Sequence, residues 1–293
     1  MDNFIVLYNP LAGNGTAQDK MRELESLMQG DRLYFSNMLD IRDYGAFFND
    51  MPDGASIIIC GGDGTLNRFL NDTEDIRPDC DIYYYPSGSG NDFARDIGAE
   101  RGAPPVLINR YIERLPKICV NGKEHRFING IGYGIDGYCC EKGDELRGNG
   151  NGEVNYTAIA IKGLLFHYKP TGATITVDGV EHRFEKVWLA PTMIGRYYGG
   201  GMMPTPEQDR LNGDGAVSVM VYYGSGKLKS LAVFPSIFKG EHIKHSEMVA
   251  VLSGRNITVC FDEPRPLQID GETVPGVREY SVTACEEKVL QPA

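Results

Sequence analysis

The chain has 293 residues, 42% of them hydrophobic and 24% charged, which is enough for two domains and a sizeable core. Its net charge of −11 argues against a nucleic-acid binder and against purely electrostatic attraction to a membrane. No apolar run approaches the ~18 residues of a bilayer span. Met1-Asp2-Asn3 lacks a basic leader, and seven scattered cysteines without a CxxC pair predict reduced thiols in a cytoplasm.

Phe4 to Tyr8 predicts a first apolar strand, followed by the loop Asn9-Pro10-Leu11-Ala12-Gly13-Asn14-Gly15 and a helical pattern from about Ala17 to Met28. Gly13-Asn14-Gly15 begins like a dinucleotide fingerprint, but the third glycine would fall at Gln18, and no Walker A loop occurs. Leu33 to Ser36 predicts a second strand, before a weakly helical stretch to about Met51. Ile57 to Cys60 predicts a third, buried strand that runs into Gly61-Gly62-Asp63-Gly64-Thr65. Leu66, Phe69 and Leu70 then recur at helical spacing. Ile82 to Tyr85 is the fourth strand, leading through Pro86-Ser87-Gly88-Ser89-Gly90-Asn91-Asp92 to a helix.

Three strand–glycine–helix turns within 95 residues place their loops along one edge of an open parallel sheet, where ligands bind. Glycine lets main-chain N–H groups approach an anion, and a helix N-terminus adds partial positive charge. Asp63 breaks that pattern. A carboxylate beside a phosphate cradle is repelled unless Mg²⁺ lies between them or it acts on another group. The bland alternative is that these glycines serve packing alone.

Near Pro104-Pro105 the texture changes, and hairpin signals multiply from Lys117 onward, as at Asn121-Gly122 and Asp178-Gly179. Ala216 to Tyr223, Met248 to Leu252, Ile257 to Phe261 and Arg278 to Cys285 predict strands of an antiparallel second domain. Gly143 to Gly152 predicts an exposed linker, and Val154 to Tyr168 a helix. Asp270-Gly271-Glu272 sets two carboxylates around a glycine, although Asp-Gly is first of all a hairpin-turn signal. Asp214, in Leu211-Asn212-Gly213-Asp214-Gly215-Ala216, could join backbone carbonyls in binding a hard cation, with a polar loop as the alternative. The five histidines show no metal or triad spacing.

Together, Asn9-Pro10 with Gly13-Asn14-Gly15, Gly61 to Asn67, Gly88 to Arg95 and Asp270-Gly271-Glu272 resemble, in order and separation, the diacylglycerol kinase catalytic-domain family of lipid kinases. The likeness is to its soluble bacterial branch, related to sphingosine kinases, and covers nearly the whole chain. The Gly-Gly-Asp-Gly-Thr loop alone is shared with NAD kinases and phosphofructokinases. The resemblance implies an N-terminal Rossmann-like three-layer α/β nucleotide-binding domain over residues 1–116 and an antiparallel β-sandwich over 117–293, with the active site in the cleft between.

It further implies ATP held by Asn9, Pro10, Leu11, Ala12, Gly13, Ser36, Gly62, Asp63, Gly64, Thr65, Leu66, Asn67, Arg68 and Ser89. Asp63 and Asp92 would belong to the acidic network around a catalytic Mg²⁺. Leu211, Asp214 and Ala216 would hold a second, structural Mg²⁺. Glu272 would take the proton of a lipid hydroxyl, with Asp270 adjacent. Two departures stand out: Leu115-Pro116 occupies the place of a customary aspartate, and the loop Pro204 to Asp214 is longer than usual.

On this reading the partners are ATP and a neutral lipid presented by a membrane, with no nucleic acid and a homodimer left open. The setting is the cytoplasm, peripheral to the inner face of the membrane. Gly226 to His245 is the candidate contact: Leu228, Leu231, Phe234, Ile237 and Phe238 recur at helical spacing among Lys227, Lys229, Lys239 and Lys244. A core-packed helix with solvated lysines is the alternative. A catalytically silent nucleotide-dependent lipid-binding protein also stays open.

Overall fold

The computed structural model describes residues 2–10, 17–76, 78–148, 159–160 and 162–285. The chain divides into two compact units, Met1–Glu113 and Arg114–Ala293.

In the first unit the apolar runs become strands β1 (Asn3–Tyr8), β2 (Arg32–Asn37), β3 (Ser56–Gly61) and β4 (Ile82–Pro86). They run parallel in the order β2-β1-β3-β4, and the short β5 (Val106–Leu107) pairs antiparallel with β4. β1 and β3 are buried on both faces, which is why their sequences are continuous apolar runs rather than alternating ones. One face packs Phe4, Val6, Ile58, Cys60 and Tyr85 against Leu24 of helix α1 (Ala17–Leu27).

Helix α2 (Tyr44–Asn49) starts at Asp43, whose side chain accepts from the Ala46 N–H. Tyr44 meets Phe69 of α3 (Asp63–Asp72) edge-on, with ring centroids 5.8 Å apart. α3 buries Leu66, Phe69 and Leu70, the i, i+3, i+4 stripe expected of it. Tyr84 alternates with Tyr85 to the opposite face of β4 and takes Phe93 of α4 (Asp92–Ile97) edge-on at 5.6 Å. α5 (Asn109–Ile112) closes the unit. The register pairs Leu7 with Ser36, Tyr8 with Cys60 and Gly61 with Pro86, so β1 to β4 end level and their loops open on one edge.

The second unit is antiparallel. Strands β6 (Lys117–Val120) and β7 (Lys123–Arg126) form a hairpin across Asn121-Gly122, both at positive φ as a type I′ turn demands. Then come β8 (Gly130–Tyr133), α6 (Ile135–Gly148), a π-helical turn (Gly163–His167), β9 (Thr171–Val177), β10 (Val180–Val187), β11 (Thr192–Met193) and β12 (Val217–Tyr222). They are followed by α7 (Lys227–Val233), two 3-10 helices (Phe234–Lys239, Glu241–Lys244), β13 (Val249–Gly254), β14 (Asn256–Ile269) and β15 (Glu272–Thr283).

The sheet order is β13-β12-β11-β8-β14-β15-β6-β7, with β9 joining β14 and β10 joining β9. β14 serves two neighbours: Ile257 to Phe261 pair with β9, and Leu267 to Ile269 pair with β8. Between them the register against β15 shifts around Pro264 and Pro266, which have no N–H to give a ladder. At the core Tyr133 stacks edge-on to Phe261 at 4.3 Å and Tyr280 at 5.4 Å, and its hydroxyl donates to the Val277 carbonyl.

Two expectations change, and a third lies mostly outside the described residues. The linker predicted from Gly143 is helical as far as Gly148, within α6. Earlier in the same helix a glycine serves contact: a Cβ on Gly137 would sit 2.1 Å from the Pro266 carbonyl oxygen, so α6 lies directly on the backbone of β14. Residues 149–152 lie outside the described residues, as does most of the predicted helix Val154 to Tyr168, whose described end is the π-helical turn. The amphipathic stretch Gly226 to His245 is three short helices rather than one, with Pro235 opening the second.

Candidate active site

At the sheet edge of the first unit two glycine turns touch. A Cβ on Gly88 would lie 2.4 Å from the Cα of Gly62, and one on Gly62 would lie 3.0 Å from the Cα of Gly88. Gly61 is equally constrained, because a Cβ there would collide with the side chain of buried Thr65. Gly64 is exposed, and a Cβ there would meet nothing within 4 Å. So only part of the Gly-Gly-Asp-Gly-Thr loop is fixed by packing. α3 has Gly62 as its N-cap, with no side-chain cap, so no side chain of the cap competes for the first-turn N–H groups of Asp63 and Gly64, a setting that suits an anion such as phosphate.

Asp63 clamps the two turns together. Its Oδ2 accepts from the Asp92 N–H at 2.9 Å and its Oδ1 from the Phe93 N–H at 3.1 Å. The carboxylate thus meets the first turn of α4, where negative charge is favoured. Asn91 holds the second loop closed from a left-handed conformation (φ 53°): its Oδ1 accepts from the Gly88 N–H, and its Nδ2 donates to the Gly88 carbonyl. Arg101 donates to that same carbonyl at 2.6 Å. Beside Gly90 the carboxylates of Asp63 and Asp92 converge, 3.6 Å and 3.7 Å from where a Cβ would stand. Two acidic groups meeting at a glycine fit a hard divalent cation. Burial, reinforced by Asp63, Cys60 and Asp92, pushes the Tyr84 hydroxyl beneath them well above its ordinary pKa.

The other predicted nucleotide residues fall into distinct places. Asn9 and Pro10 leave the end of β1, and Ser36 is half-buried on β2 beside Leu7. Leu11, Ala12 and Gly13 lie outside the described residues. Ser89 is exposed at the tip of its loop. Leu66 is core, Asn67 accepts from Asn71 one turn on, and Arg68 pairs with Asp72 at 3.3 Å along α3.

In the second unit, Asp270-Gly271 forms the two-residue turn between β14 and β15, with φ of 46° and 98° and Ile269 paired to Glu272. The turn reading is correct, and the Asp270 side chain adds to it. Its carboxylate accepts from the N–H groups of Ile128 at 2.6 Å, Asn129 at 2.9 Å and Gly130 at 3.0 Å. Three backbone donors on one carboxylate make a structural clasp. Glu272 differs: it is exposed, and no hydrogen bond or ion pair among the described residues engages its carboxylate. Of the two acids, Glu272 is the one whose side chain is open to solvent.

Sequence reasoning missed Asp136, in the first turn of α6. It is buried, accepting from the Tyr198 hydroxyl at 3.0 Å and the Gly137 N–H at 2.9 Å, and its carboxyl is pushed up to about 6 by burial. A Cβ on Gly132 would lie 1.7 Å from its Oδ2 and 2.6 Å from Gln268 Nε2. Gln268 in turn accepts from the Gly271 N–H at 2.6 Å. Asp136 therefore stands behind the turn that carries Glu272. The only sequence signal was one more Asp-Gly pair.

The loop expected to hold a second cation is closed by the chain's own donors. The Ala216 carbonyl accepts from Gln208 Nε2 and Asn212 Nδ2, Asp214 Oδ1 accepts from the Ala216 N–H, and Arg255 donates to the Asp214 carbonyl. Leu211 is exposed. No group of three or more His, Cys, Asp or Glu side chains suited to a metal occurs among the described residues. These hydrogen bonds hold the loop from Gln208 to Ala216 together around Asp214.

The two halves match two family descriptions: the diacylglycerol kinase catalytic domain over residues 3–117 and the YegS C-terminal NAD kinase beta sandwich-like domain over residues 129–286. A diacylglycerol kinase of Mycobacterium tuberculosis is 27% identical over 246 residues, covering 81% of this chain and 77% of that protein. One from Bacillus subtilis is 28% identical over 224 residues, covering 74% and 70%. Solved structures from Bacillus anthracis share the fold, with TM-scores of 0.65 and 0.58 at 18% and 19% identity. They cover 97% of this chain and 93% and 94% of their own, and one of them is described as a diacylglycerol kinase. The chain belongs to the diacylglycerol kinase catalytic-domain family of lipid kinases, with a YegS-type second half.

Proposed function

We propose that this protein is an ATP- and Mg²⁺-dependent lipid kinase that transfers the γ-phosphate to the hydroxyl of diacylglycerol or a similar neutral lipid. The observation that carries the proposal is the Asp63 clamp, which joins two glycine turns and brings a second carboxylate, Asp92, to the same point. The uncapped first turn of α3 and the loop Ser87 to Asn91 are the chain's own groups for holding phosphates. Mg²⁺ bound at the acidic pair would neutralise charge on the β- and γ-phosphates.

Glu272 accepts the proton of the lipid hydroxyl as the new O–P bond forms and the bond to the ADP oxygen breaks. Asp270 fixes the turn that presents Glu272, and its three backbone donors keep it from the base role. The lipid comes from a membrane surface that the chain meets peripherally in the cytoplasm. Among the described residues, no helix is long and apolar enough to cross a bilayer.

The test is transfer from γ-radiolabelled ATP across diacylglycerol, monoacylglycerol, ceramide, sphingosine, polyprenol and NAD. Label in diacylglycerol or a related neutral lipid, dependent on Mg²⁺, is the expected outcome. ATP binding without transfer to any acceptor would contradict it and favour the silent lipid-binding reading.

A further inference from the structure

The segment from Lys227 to Lys244 divides its apolar side chains between two sides. Val233 and Ile237 are buried, and Leu231 and Phe234 pack half-buried, against the cluster of Trp188, Leu189, Met220, Tyr222 and Met248. Leu228 and Phe238 face away from that cluster, 79% and 46% exposed. Phe166, on the π-helical turn packed against α7, is 73% exposed. Leu228 and Phe166 are the two most exposed large apolar side chains among the described residues.

Each of these tips has lysine close by in the sequence. Lys227 and Lys229 flank Leu228, Lys239 follows Phe238, and exposed Lys162 lies one turn before Phe166. Lys229 reaches Glu247 at 2.8 Å and Lys244 reaches Glu241 at 3.1 Å, but all four side chains are half or more exposed. Exposed pairs of this kind hold weakly, so a phosphate can replace the glutamate. Four lysines against two glutamates over 227–247 make a locally positive surface in a chain of net charge −11.

A second copy of the chain would be met by one contiguous apolar patch. Exposed apolar tips with lysines close by in the chain fit a bilayer interface instead: the tip enters the headgroup boundary, while the ammonium groups stay among lipid phosphates. We propose that Leu228, Phe238 and Phe166, with Lys162, Lys227, Lys229 and Lys239, form the surface by which this protein docks on an anionic bilayer. The inference rests on the lipid-kinase reading and adds where the membrane is met.

The test compares wild type with Leu228→Ser/Phe238→Ser and with Lys227→Gln/Lys239→Gln. Sedimentation uses vesicles of phosphatidylcholine alone and of mixed phosphatidylcholine and phosphatidylglycerol. Wild type should bind the mixed vesicles, and the serine double variant should need about tenfold more lipid for half-binding, from lost apolar burial. The glutamine variant should weaken binding only to the mixed vesicles and less so at high salt. Val180→Ser, which alters an exposed side chain beside Glu181, should change nothing. Unchanged melting temperature and unchanged phosphorylation of dispersed dioctanoylglycerol would show that the variants are folded.

Binding by both double variants equal to wild type would overturn the proposal. So would loss of self-association in sedimentation velocity with no vesicle binding by wild type, which would assign this face to a second copy. The two readings fail separately. Vesicle binding lost in the variants, with no kinase activity in any chain, leaves the docking surface and removes the kinase. Kinase activity with vesicle binding untouched does the reverse.

Discussion

The Cα of Gly62 lies only 2.4 Å from where a Cβ on residue 88 would stand. Two turns separated by 26 residues in sequence thus meet backbone to backbone, which excludes a side chain at residue 88 and leaves little room for one at residue 62. Gly88→Ala should lower stability by about 1–3 kcal/mol, the usual cost of overpacking, because the atom it meets is main chain and cannot rotate away. Gly64→Ala, entering open space, should stay within about 0.5 kcal/mol. Denaturant melts of the two variants check both halves of this contrast.

Asp63→Ala should lose stability as well as nucleotide affinity, because the N–H groups of Asp92 and Phe93 both lose their acceptor. The expected stability loss is about 1–2 kcal/mol, as for removal of a helix cap. Asp63→Asn keeps one acceptor and should recover part of the stability but not the ability to hold a divalent cation. Thermal unfolding alongside ATP titration with and without Mg²⁺ separates the two effects.

The acids around Gly271 should respond in opposite ways. Asp270→Ala strips three backbone donors of their partner and should cost about 2 kcal/mol or more of stability. Glu272→Gln should leave the melt unchanged and lower single-turnover phosphorylation of a short-chain lipid by roughly 10²- to 10⁴-fold. A stable, inactive Asp270→Asn beside an active Glu272→Gln would reverse the assignment.

Asp136 gives a pH dependence with a definite sign. Its folded carboxyl titrates at about 6, above the ordinary 3.8 because of burial. A raised acid contributes stability below its unfolded pKa and loses that contribution as pH rises through the folded value. Its contribution should therefore decline between about pH 4 and pH 6. Asp136→Asn should remove this decline, so the melting-temperature difference between variant and wild type should move in the variant's favour as pH rises from 4 to 7. A difference that stays constant across that range would show that Asp136 does not titrate there.

The first unit was legible because strands buried on both faces are written as unbroken apolar runs, as at Ile57 to Cys60. Its turns were legible because left-handed or close-packed backbone demands glycine or asparagine. What those runs do not write is side-chain bonding across sequence. Asp63 was visible as a charge but not as the acceptor for Asp92 and Phe93, and Asp270 was visible as a turn residue but not as the clasp on Ile128 to Gly130. α6 was obscured because Gly137 looks like flexibility when it serves a close helix–strand contact. β14 was read only as far as Phe261, since Pro264 and Pro266 break the pattern at the point where the strand changes neighbours.

The proposed reaction is phosphorylation of a lipid hydroxyl with Glu272 as base. Its most direct test is single-turnover transfer from γ-radiolabelled ATP to dioctanoylglycerol by wild type and Glu272→Gln, at matched, saturating ATP and Mg²⁺. The account predicts label in the lipid with wild type, and a rate lower by roughly 10²-fold or more with Glu272→Gln at unchanged ATP affinity. Equal rates from the two proteins, or no label in any lipid with wild type, would contradict it.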